Sequence, residues 1–315
     1  MTTETRVFID GSHGTTGLEL ENRLKKHPNI NILTIDPEKR KDDTEKQKIF
    51  DQADVIFLCL PDQQAIKSVS MISPDKIVLD ASTAHRTNPA WTYGFPELSK
   101  EHRQAVEKSK RICVPGCHAT GFIGIVYPLV KQGLLPADGY LSCFSITGYS
   151  GGGKEMIARY QDSNRRLGDS LGGPQPYALA MNHKHLPEMK LISEIKHNPH
   201  FVPVVGDVER GMLVTVPIYG DLKLDPNQVI STLNNHYAGN DFVKIHDLEN
   251  NRDISFLDPT GANFTNNIEI FVFGHMDQIT ITARLDNLGK GSSGAAVQCM
   301  NIALGLNEKI GLVKK

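Results

Sequence analysis

A series of short apolar runs, each followed by a stretch of helical spacing, constrains the fold of this chain more than any other feature. Arg6 to Asp10 (RVFID), Asn31 to Ile35 (NILTI), Val55 to Leu60 (VIFLCL), Ile77 to Leu79 and Ile112 to Val114 read as strands. VIFLCL is apolar throughout, with no polar face to turn toward water. Continuous apolar strands alternating with helices imply a parallel sheet covered on both sides. Ligands of such sheets gather at the carboxyl ends of the strands. Gly11, Pro61, Ser82 and Cys117 all fall at those ends.

The first strand runs directly into Gly11-Ser12-His13-Gly14-Thr15-Thr16-Gly17, and a helical pattern continues to about His27. Glycines in such a turn allow close backbone approach, and the helix start offers N–H groups to a pyrophosphate. Gly11, Ser12, Gly14, Thr15, Thr16 and Gly17, with Pro61 and Ser82, are therefore the candidate dinucleotide contacts. Asp36 follows Gly17 by 19 residues, at the end of the second strand. An acidic residue there binds the ribose 2′-hydroxyl of NAD. Lys39 and Arg40 stand beside it and suit a 2′-phosphate, so both readings stand.

A second turn carries the candidate nucleophile. Pro115-Gly116 ends a strand, Cys117 follows, and Phe122, Ile123, Val126, Leu129 and Val130 then recur with helical spacing. A helix start stabilises a thiolate through its free N–H groups and its dipole.

From Gly139 the pattern changes to alternating strands: Tyr140 to Thr147, Met212 to Ile218, Ile268 to Phe273 and Asp277 to Leu285. In the last, Ile279, Ile281 and Ala283 alternate with Thr280, Thr282 and Arg284, as on a half-buried antiparallel sheet. The expected fold class is α/β: a Rossmann-like parallel sheet domain plus an α+β catalytic and dimerisation domain with a mostly antiparallel sheet. The expected boundaries are 1–115, completed by the C-terminal segment 287–315, and 116–286. Two loops in the second domain carry chemistry. Gly148 to Lys154 (GYSGGGK) offers mobile N–H groups and a cation to an anionic substrate, with Gly151 and Lys154 as its contacts. His183-Lys184-His185-Leu186-Pro187-Glu188 places two imidazoles before a helix, suited to proton transfer near neutrality. HxHxxE lacks the HExxH spacing of a zinc site, so no metal is expected.

The 39% hydrophobic and 22% charged content are those of an ordinary globular protein, and a net charge of −2 gives no bulk attraction to nucleic acid or an anionic membrane. No window reaches the roughly 20 apolar residues of a membrane span, and no signal peptide precedes the first strand. Five cysteines without CxxC spacing read as reduced cytoplasmic thiols.

With these segments assembled, the chain resembles the N-acetyl-γ-glutamyl-phosphate reductases, relatives of aspartate-semialdehyde dehydrogenase, in their compact form. The resemblance runs through the GxxGxxG turn, DASTAHR (80–86), YGFPEL (93–98), PGCHATG (115–121), YSGGGK (149–154), HKHLPE (183–188) and DNLGKGSSGAAVQ (286–298). Three departures stand out: His118 where the family usually has an aromatic residue, the all-glycine GGG, and Thr83-Ala84-His85 in place of a more acidic, aromatic stretch. The resemblance implies that Cys117 attacks an acyl phosphate and that NADP(H) is the cofactor. It implies His185 as acid–base, with His183 and His118 as competitors. Arg86, Gly151, Lys154 and His183 become candidate substrate contacts, and Asn287 a candidate for the nicotinamide amide. It also implies a homo-oligomer, dimer or tetramer. Alternatives are a reductase of aspartyl or aminoadipyl phosphate, and a non-catalytic dinucleotide sensor on the same scaffold.

Overall fold

The computed structural model describes residues 4–162, 172–246 and 254–313. The described residues divide into two compact units: one holds residues 4–96, 100–115 and 292–313, the other residues 97–99 and the described part of 116–291. Residues 287–291 thus cluster with the second unit and not with the C-terminal helix.

The first unit is built on a six-stranded sheet. Its strands are β1 (Thr5–Asp10), β2 (Ile30–Leu33), β3 (Val55–Leu58), β4 (Ile77–Asp80), β5 (Thr92–Tyr93) and β6 (Arg111–Cys113). Their order is β2-β1-β3-β4-β6-β5, and every pairing is parallel. Side chains alternate between two cores, as the two-residue period of a strand requires. Val7, Ile9, Val55, Phe57, Ile77 and Leu79 face one core, and Phe8, Ile56, Leu58 and Val78 face the other. Helix α1 (Thr15–Leu24) and the C-terminal helix α9 (Gly294–Ala303) cover the first face, with Leu20, Leu24, Val297 and Met300 buried there. Helices α2 (Asp43–Gln52) and α3 (Asp62–Met71) contribute Phe50 and Ala65 to the other. Helix α4 (Lys100–Lys108) precedes β6 and buries Val106. Strand β2 stops at Leu33, two residues short of the apolar run, so Asp36 lies in the following loop.

The second unit carries a seven-stranded mixed sheet. Its strands are β7 (Ser142–Gly148), β8 (Gln175–Pro176), β9 (His200–Gly206), β10 (Met212–Tyr219), β11 (Val243–His246), β12 (Ile268–His275) and β13 (Gln278–Leu285). They run in the order β11-β12-β13-β10-β7-β9-β8; the pairs β11–β12 and β7–β9 are parallel and the rest antiparallel. Helix α5 (Cys117–Lys131), buried from His118 through Val126, lies against β10, β12 and β13. Gly121 marks the closest approach: a Cβ there would stand 2.7 Å from Val214 Cβ. Helices α6 (Gly153–Gln161), α7 (Leu186–Ile192) and α8 (Pro226–Tyr237) complete the unit, α7 and α8 packing on α5. No described helix is long and apolar enough to cross a membrane.

The glycine segment at 148–154 corrects the expectation of a mobile loop with free N–H groups. The N–H groups of Gly148, Tyr149 and Ser150 donate to the carbonyls of Gly211, Val208 and Glu209. Tyr149–Gly152 forms a 3-10 turn that leads into α6. Packing of the Tyr149 ring on Tyr160, with centroids 4.7 Å apart, holds that turn.

Candidate active site

In the first unit the strand order reverses between β1 and β3, the place where a doubly wound sheet opens a crevice. A cavity of about 1140 Å³ lies there, lined by Gly11, Ser12 and Gly14 after β1, Asp36, Arg40 and Lys41 after β2, and Cys59 and Leu60 after β3. Gly11 adopts φ +93, and a Cβ on it would overlap the Cys59 carbonyl oxygen, so this turn admits only glycine. A Cβ on Gly17 would overlap the Gly11 carbonyl oxygen, so Gly17 serves packing. Helix α1 starts at an extended Gly14 with no side-chain cap and no acidic residue in its first turn. The N–H groups of Thr15, Thr16 and Gly17 precede the first helical hydrogen bond, from Leu18 to Gly14. Thr15 Oγ1 is buried with no hydrogen-bond partner among the described residues. These donors at a positive helix end fit the pyrophosphate of a dinucleotide.

Sequence reasoning missed the lysines here. Lys46 on α2 donates to Asp10 Oδ2 at 2.7 Å, and Ser68 Oγ joins the same oxygen at 3.0 Å; Lys46, Lys67 and Ser68 all line the cavity. Asp36 Oδ1 accepts from the Glu38 N–H of its own loop. Pro61 and Ser82 do not line the cavity: Pro61 caps α3, and Ser82 Oγ donates to buried Asp80 at 2.7 Å. Asp80 also pairs with His85 Nδ1 at 2.6 Å, and the His85 ring stacks on Trp91. Arg86 is likewise engaged in the framework. Its Nε donates to the Val114 carbonyl and its Nη2 to that of Ala81, which bind the strand ends together and redirect these donors from the expected substrate.

In the second unit Cys117 is the first residue of α5, partly exposed, behind an extended Gly116 that offers no side-chain cap. Buried Glu188, on α7, accepts the Gly116 N–H at 3.1 Å, so the histidine segment is tied to the Cys117 turn by its own glutamate. His183 and His185 have ring centroids 4.6 Å apart, and His118 lies 5.4 and 5.5 Å from them. The structure thus brings the three histidines together. They differ in environment. His118 is 2% exposed and held from both sides, Nδ1 to Ser145 Oγ and Nε2 to the Tyr177 hydroxyl, each at 2.8 Å. Burial, reinforced by His183 and Lys184, pushes its pKa down to about 3. Neutral imidazole has one donor and one acceptor, which these two hydroxyls satisfy. Both ring nitrogens of His118 are thus engaged, and its burial favours the neutral form. Tyr177, which sequence reading missed, has its hydroxyl pKa raised by burial and then by the charge of Cys117.

Asn287 is buried with both ends of its amide engaged: Oδ1 accepts the Gly211 N–H and Nδ2 donates to Ser150 Oγ, each at 2.9 Å. One further N–H remains, with an orientation fixed by these bonds. Gly151 lies beside that amide and Lys154 is exposed on the first turn of α6. No group of three or more His, Cys, Asp or Glu side chains among the described residues is arranged to hold a metal ion.

Comparison with known proteins agrees with both units. Residues 6–106 match the family model described as semialdehyde dehydrogenase, NAD binding domain, and residues 117–287 the model described as semialdehyde dehydrogenase, dimerisation domain. The chain is 41% identical to N-acetyl-gamma-glutamyl-phosphate reductase 2 of Nostoc sp., covering 98% of this chain and 99% of the relative. It is 39% identical to N-acetyl-gamma-glutamyl-phosphate reductase of Burkholderia ambifaria, covering 95% and 96%. Among solved structures it shares the fold of aspartate semialdehyde dehydrogenase from Francisella tularensis, with TM-score 0.71 at 14% identity, covering 95% and 99% of the two chains. The enzyme from Candida albicans, solved with NADP, gives 0.65 at 15%, covering 98% and 99%.

Proposed function

The chain belongs to the N-acetyl-γ-glutamyl-phosphate reductases of the semialdehyde dehydrogenase family, and on that premise we propose that Cys117 and His185 carry its reaction. It is an oxidoreductase of arginine biosynthesis, converting N-acetylglutamyl phosphate to N-acetylglutamate semialdehyde and phosphate. The observation that carries the assignment is Cys117 at the uncapped start of a buried helix, with Glu188 of the histidine segment bonded to the residue before it.

In this reading Cys117 Sγ attacks the acyl carbon of the acyl phosphate, and the tetrahedral adduct collapses by breaking the C–O bond to phosphate, which leaves with that bonding pair as a thioester forms. An acyl phosphate is already activated, so no metal is needed. Backbone N–H groups in the first turn of α5 stabilise the oxyanion, a contribution of about 3 kcal/mol in comparable sites. The Gly11–Gly17 turn would hold NADP(H), which when bound would supply the hydride. His185 holds the proton on the resulting oxygen and takes it back as the thiolate departs; His183, whose Nδ1 accepts the His185 N–H at 3.1 Å, sets the loop between them. The choice of NADP(H) is supported by Arg40 and Lys41 on the cavity wall. Lys154 and Gly151, at the start of α6, are the substrate-anion contacts of this reading.

A homodimer or homotetramer belongs to the same reading. It is supported by the dimerisation-domain match and by exposed Phe144 and Tyr219 on the second sheet. None of the five cysteines forms a disulfide, as suits a reducing cytoplasm.

The test is NADP+ reduction with N-acetylglutamate semialdehyde, with and without phosphate, and with aspartate semialdehyde in parallel. Phosphate-dependent reduction with the acetylated substrate alone is expected. Turnover with aspartate semialdehyde instead would reassign the substrate.

A further inference from the structure

The turn after β13 presses on the nucleophile. Gly289–Ser293 forms a wide π-type turn gathered by Asp286, whose backbone oxygen accepts from the Gly289 and Gly291 N–H groups, each at 3.0 Å. A Cβ on Gly291 would lie 2.8 Å from Cys117 Cβ, closer than real side chains come. The turn's backbone therefore stands against Cys117 with no room to spare, and a shift of the turn changes what the thiol can do.

Lys290, within that turn, reaches Glu97 with Nζ 2.6 Å from Oε1, and their side chains are 1% and 2% exposed. Its ammonium also lies 5.7 Å from the centre of the Phe242 ring. Glu97 comes from the YGFPEL segment, 193 residues earlier, which the reaction leaves without a role. Two charges removed from water carry a large desolvation cost, and an apolar pair of similar volume is commonly as stable or more so. Stability alone does not account for an ion pair in this place. Its position does, because its direction and length fix where the turn stands.

We propose that Lys290 and Glu97 are positioning residues for Cys117: their buried ion pair holds the 289–293 turn against the thiol. The inference rests on Cys117 being the nucleophile of the reaction above.

The experiment compares the full-length protein with Lys290→Met, Glu97→Gln and the double variant Glu97→Leu/Lys290→Met. Three quantities are read well below each melting temperature: kcat and KM for phosphate-dependent semialdehyde oxidation, the melting temperature itself, and Cys117 alkylation by iodoacetamide followed by mass spectrometry. Each single variant leaves one buried charge uncompensated and melts lower by about 10 °C. The double variant, with no charge to bury, regains most of that loss. Its kcat nevertheless stays about 10- to 100-fold down with KM within about threefold, because the thiol is no longer held in its attack position. Its Cys117 alkylation rate also departs from that of the native protein. A double variant with native kcat and native alkylation, whatever its melting temperature, makes the pair purely structural and overturns the proposal. If Cys117→Ser retains turnover, the nucleophile assignment fails instead, and the alkylation rates still report on the turn.

Discussion

Helices α1 and α5 begin alike. Each follows a strand of the parallel sheet through a glycine turn, each has an extended glycine before its first residue, and neither has a side-chain cap or an acidic first turn. Both therefore present a bare positive end. They differ in what surrounds it. The start of α1 faces a cavity walled by Lys46, Lys67, Arg40 and Lys41, open to a soluble anion. The start of α5 sits on a helix buried along most of its length, beside a neutral histidine, and its first residue is a thiol. In the reaction proposed above, the same backbone device holds a ligand in one unit and arms a nucleophile in the other. In the drier setting each dipole and charge acts more strongly.

Separate damage to the two helix starts tests this contrast. The largest effect is expected from Cys117→Ser, which should lower phosphate-dependent turnover by at least about 10⁴-fold. NADPH affinity, measured by fluorescence titration, should stay unchanged; loss of both together would merge the two sites into one. Gly11→Ala places a Cβ against the Cys59 carbonyl at φ +93, and should weaken NADPH binding by about tenfold or more for a strain of about 1–3 kcal/mol. Cys117 alkylation should survive that change, and its disappearance would deny the units their independence. The last effect concerns pH. With the His118 pKa near 3 when folded and about 6.5 when unfolded, the unfolded chain binds the extra proton between those values. Stability from this group is complete above about pH 6.5 and falls by about 1.4 kcal/mol per unit as pH drops below it. Denaturant melts of His118→Asn should show a flatter acid limb, and an unchanged limb would remove His118 from the account.

Where side chains repeat with a period, the sequence was readable. Strands β1, β2, β3, β4 and β6 of the parallel sheet, the alternation in β10 and β13, and the apolar stripe of α5 announce themselves because one face or both must be buried, whereas two-residue β5 is too short to show a pattern. Helices α2 and α4 escaped notice because each fully buries a single side chain, Phe50 and Val106, and is otherwise mostly charged or polar. Strand β9 escaped because Pro203 within it argues against a ladder position, yet it pairs with β7 in parallel. At the site, Cys117 and the histidine segment were legible from local turn chemistry. The bond from Gly116 to Glu188, the Tyr177 hydroxyl on His118 and the Lys290–Glu97 pair were not, since each joins residues distant in sequence with no periodic trace. The framework bonds of Arg86 were hidden for the same reason: nothing local announces that its Nε and one Nη donate to the carbonyls of Val114 and Ala81.

The discontinuity of the first unit bears on how this chain is made. Its core includes Val297, Met300 and Ile302 from α9 alongside Val7 and Ile9 from β1. On the ribosome, β1 emerges before the second unit and waits until α9 has followed it for the residues that complete its packing. The second unit, nearly contiguous from Gly116 to Gly291, has most of its chain in hand before then. Domains ordinarily fold from the N-terminus onward as they are made; here the unit that starts first is finished last. During that interval the apolar face destined for α9 is a surface for chaperones to cover.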